Sequence, residues 1–337
     1  MHLDGTVLRG PSFEPVEGRV VVDGGEIVSI EEMETTSDDI ILPAFVNAHT
    51  HLGDSIAKEA GGDLSLEELV APPDGLKHRL LREASRDELV EGIRRSLQFM
   101  ESTGTGTCLE FREGGVEGVR MFREAAEYSD LQPLILGRET IDAMQIADGF
   151  GASGANDADF ETERTATGEA GKLFGIHAGE VDSSDINAAL DLDPDFVVHM
   201  VHPDPVHLQR IDDSEVPIVV CPRSNIVTDV GRPPITELAE RTMLALGTDN
   251  VMTNSPSMFR EMAFTAKLFD LSAQEVLRMA TINGARIADL DRGLVEEGRP
   301  AKLLVLDGNS DNLTGAQDIV RAVVRRAGPA DVKRLVL

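Results

Sequence analysis

Short apolar runs that alternate with helix-like segments set the tightest limit on what this 337-residue chain can become. The runs are ILPAFVNA, GTCLEF, LQPLILG, KLFGIHA, FVVHMVH, VPIVVCP and TMLALGTD. Between them lie RDELVEGIRRSLQFMEST, GVRMFREAAEYS, DSSDINAALDL and SAQEVLRMATINGARIADL, whose apolar positions recur with helical spacing. Parallel strands need crossover connections of a dozen or more residues, so this alternation predicts a parallel sheet with helices outside it. An eighth strand fits around 142–148, which gives a (β/α)8 TIM barrel within the α/β class, with a doubly wound sheet as the alternative. The stretch 149–170 reads as a loop followed by a solvated acidic helix.

Both ends read differently. GRVVVDG and GEIVSIEE, separated by Asp-Gly-Gly, are strand-like, and so are AKLLVLDG, IVRAVVRR and VKRLVL near the other end. Neither block is large enough for a core of its own. The two are therefore expected to pair as a small β-sandwich composed of residues 1–42 and 296–337, leaving 43–295 to the barrel. Barrels of about 250 residues commonly form one domain, so this division suits the length.

Charge narrows the partners. The chain carries 60 acidic against 31 basic residues, a formal net charge of −29. Such a surface repels nucleic acid and anionic lipid, and it suits solubility in salt that screens self-repulsion, so a halophilic source is expected. No stretch approaches the roughly 20 apolar residues of a membrane span. MHLDGTVLRG lacks the basic and apolar regions of a signal peptide, which predicts a cytoplasmic protein. Cys108 and Cys221 lie in strand-like runs without metal-ribbon spacing and are read as reduced and buried.

The candidate chemistry sits at strand ends. VNAHTH places His49 and His51 two residues apart; in a strand such side chains share a face roughly 6.5–7 Å apart and can converge on one ion. Alone this pair is weak, since two histidines at that spacing are often unrelated surface residues. GIHAGE puts His177 at the end of another run with Glu180 three residues on, FVVHMVHP does so for His199, and LALGTDN for Asp249. Any one of these could be a hydrogen-bonded polar residue capping a strand. Their shared placement at C-terminal strand edges, where barrel enzymes assemble their sites, points instead to one centre.

Together, VNAHTH, HAGE, VVHMVH, CPRSN and LGTDN resemble the amidohydrolase superfamily, and more narrowly its aminohydrolase branch of cytosine, guanine, adenosine and adenosylhomocysteine deaminases and triazine chlorohydrolases. The resemblance runs in order over nearly the whole chain. It implies that His49, His51, His177 and Asp249 hold one divalent metal ion, Zn²⁺ or alternatively Fe²⁺. It further implies that His199 contacts the reacting water or the substrate, that Glu180 shuttles protons, and that Asp249 orients the nucleophile. Some relatives bridge two ions with a carboxylated lysine or an acidic residue on the fourth strand. No lysine lies between Lys77 and Lys172, and Lys172 begins its strand at the far end of the barrel, so one ion is expected. The implied reaction is hydrolysis of a non-peptide C–N bond, deamination of a small N-heterocycle such as a purine, pyrimidine, pterin or nucleoside. Hydrolysis of a cyclic amide or a chloro-heterocycle at the same site is an alternative, and a non-catalytic barrel serving as a binding or assembly module is another.

Several features stand apart from that pattern. Cys221 precedes the proline of CPRSN where many deaminases have His-Asn, and Lys302 stands where the family commonly has Asp. Glu110, Arg112, His78 and Asn225 are candidate substrate-binding residues. Glu110 and Arg112 read more readily as a local ion pair under the rim, and the 72–81 segment carrying His78 reads equally as an ordinary connection. Residues 149–154, GFGASG, fit a dinucleotide fingerprint, but the acids that follow oppose a pyrophosphate and the βαβ context is missing, so it is a decoy. The partner expected is a small-molecule substrate, with no nucleic acid or membrane; a homo-oligomer is compatible with the branch.

Overall fold

The computed structural model describes residues 1–337 except Asp63 and Pro72. The chain begins with β1 (His2–Arg9), β2 (Glu14–Asp23), β3 (Glu26–Glu32) and β4 (Asp39–Pro43). It continues through β5 (Phe45–His51), β6 (Thr105–Arg112), β7 (Gln132–Gly137), β8 (Gly149–Ala152) and β9 (Leu173–Ala178). There follow β10 (Phe196–His199), β11 (Ile218–Val220), β12 (Leu244–Leu246) and β13 (Asp249–Asn250), and the chain finishes with β14 (Leu303–Asp307) and β15 (Val332–Val336).

β5 to β12 pair side by side in chain order, every pairing parallel. β5 and β6 are buried at every position, as strands covered on both faces must be. Closure falls to a divided strand. After β12 leaves β11, the chain passes Gly247 and Thr248, and β13 pairs with β5, Asp249 opposite Thr50. The Thr248 amide donates to the His49 carbonyl at 3.1 Å, while the Asn47 amide nitrogen donates to Thr248 Oγ1 at 2.7 Å. A Cβ on Gly247 would stand 2.7 Å from His49 Cβ and 3.0 Å from Cys221 Sγ, so the close approach that shuts the barrel requires glycine. Eight strand positions result, a (β/α)8 barrel.

The two ends of the chain do pair, as one continuous six-stranded sheet in the order β15-β14-β4-β1-β2-β3. Alternation divides its faces. Ile41, Leu303 and Val305 join Val7, Val20 and Ile27 in a core of the sheet's own, whereas Ile40, Leu42, Leu304 and Leu306 pack into the large cluster shared with the barrel helices.

Two expectations fail, each for a physical reason. Residues 142–148 are not the missing strand: Ile141–Gln145 is a helix, begun by Thr140, whose side chain accepts from the Ala143 amide at 3.1 Å. The strand is β8, inside the glycine-rich stretch expected to be loop. Phe111 on β6 fills the barrel interior, and a Cβ on Gly151 would lie 2.6 Å from its ring, so this strand surrenders its side-chain volume to a neighbour. Likewise IVRAVVRR is no strand. Ile319–Arg325 is a helix capped by Asp318, and Val320, Val323 and Val324 form an i, i+3, i+4 stripe against the large core. Its β-branched residues imitate a strand, but the stripe decides. Cys108 and Cys221 are buried and unpaired. Among the described residues, no helix is long and apolar enough to cross a membrane.

Gly151→Ala should therefore overpack the barrel axis and lower the unfolding free energy by about 1–3 kcal/mol, part of which Phe111→Leu in the same chain should recover. Thermal unfolding of the three variants checks this; a Gly151→Ala protein melting with the wild type would remove the interdigitation argument.

Candidate metal centre

His49 and His51 leave β5 on one face, with ring centroids 4.9 Å apart, and both are buried. His177 comes from the end of β9 and Asp249 from the start of β13. The four expected ligand side chains meet at the C-terminal rim. His49 Nε2 lies 3.3 Å from His177 Nε2 and 3.4 Å from Asp249 Oδ1, and His51 Nε2 lies 3.7 Å from that same oxygen. Phe111 floors the group, its ring centroid 4.6 Å from His49 and 5.0 Å from His177. His199 and Glu180 join from one side: donor atoms of Glu180, His199 and Asp249 lie within 4.8 Å of one another, as do those of His49, His177 and His199.

Contacts outside the cluster set the tautomers. His177 Nδ1 is 2.8 Å from the Ala152 carbonyl, so the proton belongs there and the Nε2 lone pair faces inward. His51 Nδ1 lies 2.7 Å from Glu113 Oε1, an ion-pair contact without hydrogen-bond alignment, and the nearby carboxylate favours the proton on Nδ1. Burial drives the pKa of His51 down to about 3 and lowers those of His49 and His177, which keeps the rings neutral. Burial alone would raise Asp249, but the surrounding histidines outweigh it and hold the carboxyl well below the usual carboxylate range. Ser224 Oγ donates to Asp249 Oδ2 at 2.5 Å and Asn250 Nδ2 donates to Oδ1 at 2.9 Å. Three neutral imidazole nitrogens and one ionised carboxylate, aimed at a shared point, are the donor set of a divalent transition ion, so the residues present fit the expected metal.

His199 is arranged otherwise. The Asn225 amide nitrogen lies 3.1 Å from His199 Nδ1; in this orientation Nδ1 accepts, Nε2 carries the proton, and Nε2 faces Glu180 Oε2 at 3.5 Å. Burial raises the Glu180 pKa against the opposing pull of His199. His199 and Asp249 have φ of +79° and +60°, a left-handed conformation that costs a non-glycine residue about 1–3 kcal/mol and collects at functional sites. The helix Pro222–Val227 supplies both Ser224 and Asn225, and it is held by Arg223, whose Nε is 2.5 Å from Glu261 Oε2.

The remaining candidates go elsewhere. Glu110 is fully buried, accepting from Thr50 Oγ1 at 2.8 Å and from the Leu52 amide, and burial pushes its carboxyl up to about 8. It faces no cavity. Arg112 Nε donates to the Gly118 carbonyl at 3.3 Å. His78 Nε2 lies 3.0 Å from the Val70 carbonyl; with Arg112 it lines a neighbouring cavity rather than the one holding His51 and His177. Within the 72–81 segment, Pro72 lies outside the described residues.

Sequence reasoning missed Glu113 and its cations. Glu113 Oε1 is 2.7 Å from Lys77 Nζ and 3.1 Å from Arg138 Nη1, in addition to His51. Burial would raise this carboxyl, but Lys77, His51 and Arg138 together hold it well below its usual range. A partner that fixes a ligand's orientation typically affects metal affinity 10–100-fold, so Glu113→Gln should weaken Zn²⁺ binding by about that factor. Competition with a chromophoric chelator measures it; wild-type affinity in the variant would deny Glu113 this role.

Residues 40–191 and 160–336 match the model of the amidohydrolase family. An uncharacterized protein of Methanocaldococcus jannaschii is 34% identical over 360 residues, covering 96% of this chain and 94% of its own. The 5-methylthioadenosine/S-adenosylhomocysteine deaminase of Haloarcula marismortui is 25% identical over 402 residues, covering 98% and 90%. The structure of an adenosine deaminase from Xanthomonas campestris with bound zinc shares the fold, with a TM-score of 0.84 at 21% identity over 99% of this chain and 90% of that one. With its strand-end histidines converged, and with this match and this identity over nearly its full length, the chain belongs to the amidohydrolase family.

Proposed function

We propose that the protein is a metal-dependent deaminase of a small N-heterocycle, a purine, pyrimidine, pterin or nucleoside-like compound bearing an exocyclic amine. One observation carries this reading: the inward Nε2 atoms of His51 and His177, with His49 and ionised Asp249, stand beside Glu180, a carboxyl of raised proton affinity, and the Nε2–H of His199. His49, His51, His177 and Asp249 would hold one Zn²⁺, or alternatively Fe²⁺, which when bound lowers the pKa of water enough for attack on an amidine-like carbon near neutral pH. A single ion is supported by β8, whose Gly149, Phe150, Gly151 and Ala152 offer no bridging side chain.

Glu180 Oε2 accepts the proton of the attacking water and returns it to a ring nitrogen or the departing amine, work that suits a carboxyl of raised proton affinity. His199 Nε2–H, aligned by Asn225, donates toward negative charge that develops on the substrate. Asp249 accepts a hydrogen bond from the nucleophile and keeps its lone pair aimed at the carbon. The cavity over these groups measures about 470 Å³, enough for a heterocycle with a modest substituent. Glu67, Asp157, Asp182 and Asp185 line it, and Arg138 is the lone Arg or Lys among the lining residues, which favours neutral or amine-bearing rings over anionic ones. The net charge of −29 supports a working environment of high salt, in the cytosol of a salt-loving cell.

Ammonia release from a panel of purines, pyrimidines, pterins and nucleosides, in molar salt, tests the proposal. At least one class should turn over; opening of cyclic amides or release of chloride, with no ammonia from any amine, would overturn it. Chelation should abolish turnover and added Zn²⁺ should restore it. Glu180→Gln should retain the metal yet lose about 10²–10⁴-fold in kcat; near-normal turnover in that variant would remove Glu180 as the proton carrier.

A further inference from the structure

We propose that Lys77 is a positioning residue, a latch through which the segment covering the mouth fixes the orientation of two metal-ligand side chains. The proposal rests on the metal-site reading above. Lysine is almost never fully buried without a partner, yet Lys77 is 3% exposed. Its Nζ lies 2.7 Å from Glu113 Oε1 and donates to Asn250 Oδ1 at 3.0 Å. Each of those groups holds a different ligand: Glu113 Oε1 is 2.7 Å from His51 Nδ1, and Asn250 Nδ2 donates to Asp249 Oδ1 at 2.9 Å. One ammonium therefore ties together the supports of a ligand from β5 and a ligand from the divided closing strand.

The element that delivers Lys77 is a cover. Its helix Leu66–Val70 contributes Leu66, Glu67 and Val70 to the wall of the metal cavity, and its helix Leu76–Glu83 carries Lys77. An apolar seat of Ala57, Leu69 and Met252, flanked by Val70, Leu76 and Leu80, holds both helices down. Arg138 reaches the same Glu113 oxygen at 3.1 Å from the opposite wall, so Glu113 keeps one cation when the cover lifts. Among the described residues, Lys77 is the donor that Asn250 Oδ1 has. Lifting the cover frees the Asn250 amide, and with it Asp249 Oδ1, the oxygen beside His49 and His51. Seating the cover and setting the ligands are thus one event.

Cobalt(II) reports this directly, because its ligand-field absorption follows coordination geometry whether or not the enzyme turns over. Full-length protein is titrated with Co²⁺ as wild type, Lys77→Met and Lys77→Arg. Lys77→Met should shift or weaken the ligand-field bands and raise the Co²⁺ Kd roughly ten-fold, the usual scale for losing a ligand's supporting contact. Lys77→Arg should move both back toward wild type. Should Lys77→Met fail to fold around a buried carboxylate left with Arg138 as its cation, Lys77→Met/Glu113→Gln removes that charge, and its bands and Kd should depart further from wild type than those of Glu113→Gln alone. A Lys77→Met protein that folds with wild-type bands and Kd overturns the latch alone. A wild-type protein that gives no stoichiometric Co²⁺ band overturns the metal-site reading, and the latch with it.

Discussion

Phe111 occupies the barrel axis directly beneath His49 and His177, and the chemistry at the rim depends on that placement. A filled axis excludes water from below, so the imidazoles are desolvated and stay neutral, with lone pairs available to a cation. It also leaves the rings no room to tip away from one another. The demand propagates: β8 meets it with glycine where a side chain would collide with the ring, and β10 sends Phe196 to pack at a centroid distance of 6.0 Å. The rim's polar groups can therefore be few and exactingly placed, because apolar packing has already settled their directions.

What could be read from the chain follows the range of each interaction. His49, His51, His177 and Asp249 were legible because each ends an apolar run, and a run's end is a local property. Glu113 and Lys77 were not. In REGG and LKHR they look like solvated charges, and nothing near them in sequence tells that they meet at 2.7 Å. Glu110, three residues before Glu113, drew attention because it sits within the run; that position turns its carboxyl onto Thr50 and Leu52, away from the cavity. β8 was hidden because strand patterns are written in side chains, and this strand gives up two of its four. The helix Ile319–Arg325 was misread because valine content and valine spacing disagree, and spacing carries the tertiary fact.

Two residues of the site, His199 and Asp249, hold backbone conformations that their side chains disfavour. The structure around them over-determines those conformations. Asn225 grips His199 and Ser224 grips Asp249, both from one short helix that a buried Arg223–Glu261 pair pins in place. Removing either partner of that pair would leave an uncompensated buried charge, so the clamp has little freedom to drift. Rigidity behind His199 and Asp249 contrasts with the cover in front of them, which is held by a small apolar seat.

The terminal sheet has a kinetic side. β4 is flanked by β1 and by β14, and the Ile41–Val305 register joins positions more than 260 residues apart. Until β14 has been made, β4 offers an open edge, and Leu42, which belongs against the barrel helices, has lost the strand beside it. Such late, distant pairing slows folding and leaves sticky β surface uncovered on the ribosome. At low ionic strength, like-charge repulsion between chains of net charge −29 protects them during that wait, and molar salt screens the protection away, so the unfinished sheet is safest where the finished chain repels its neighbours most.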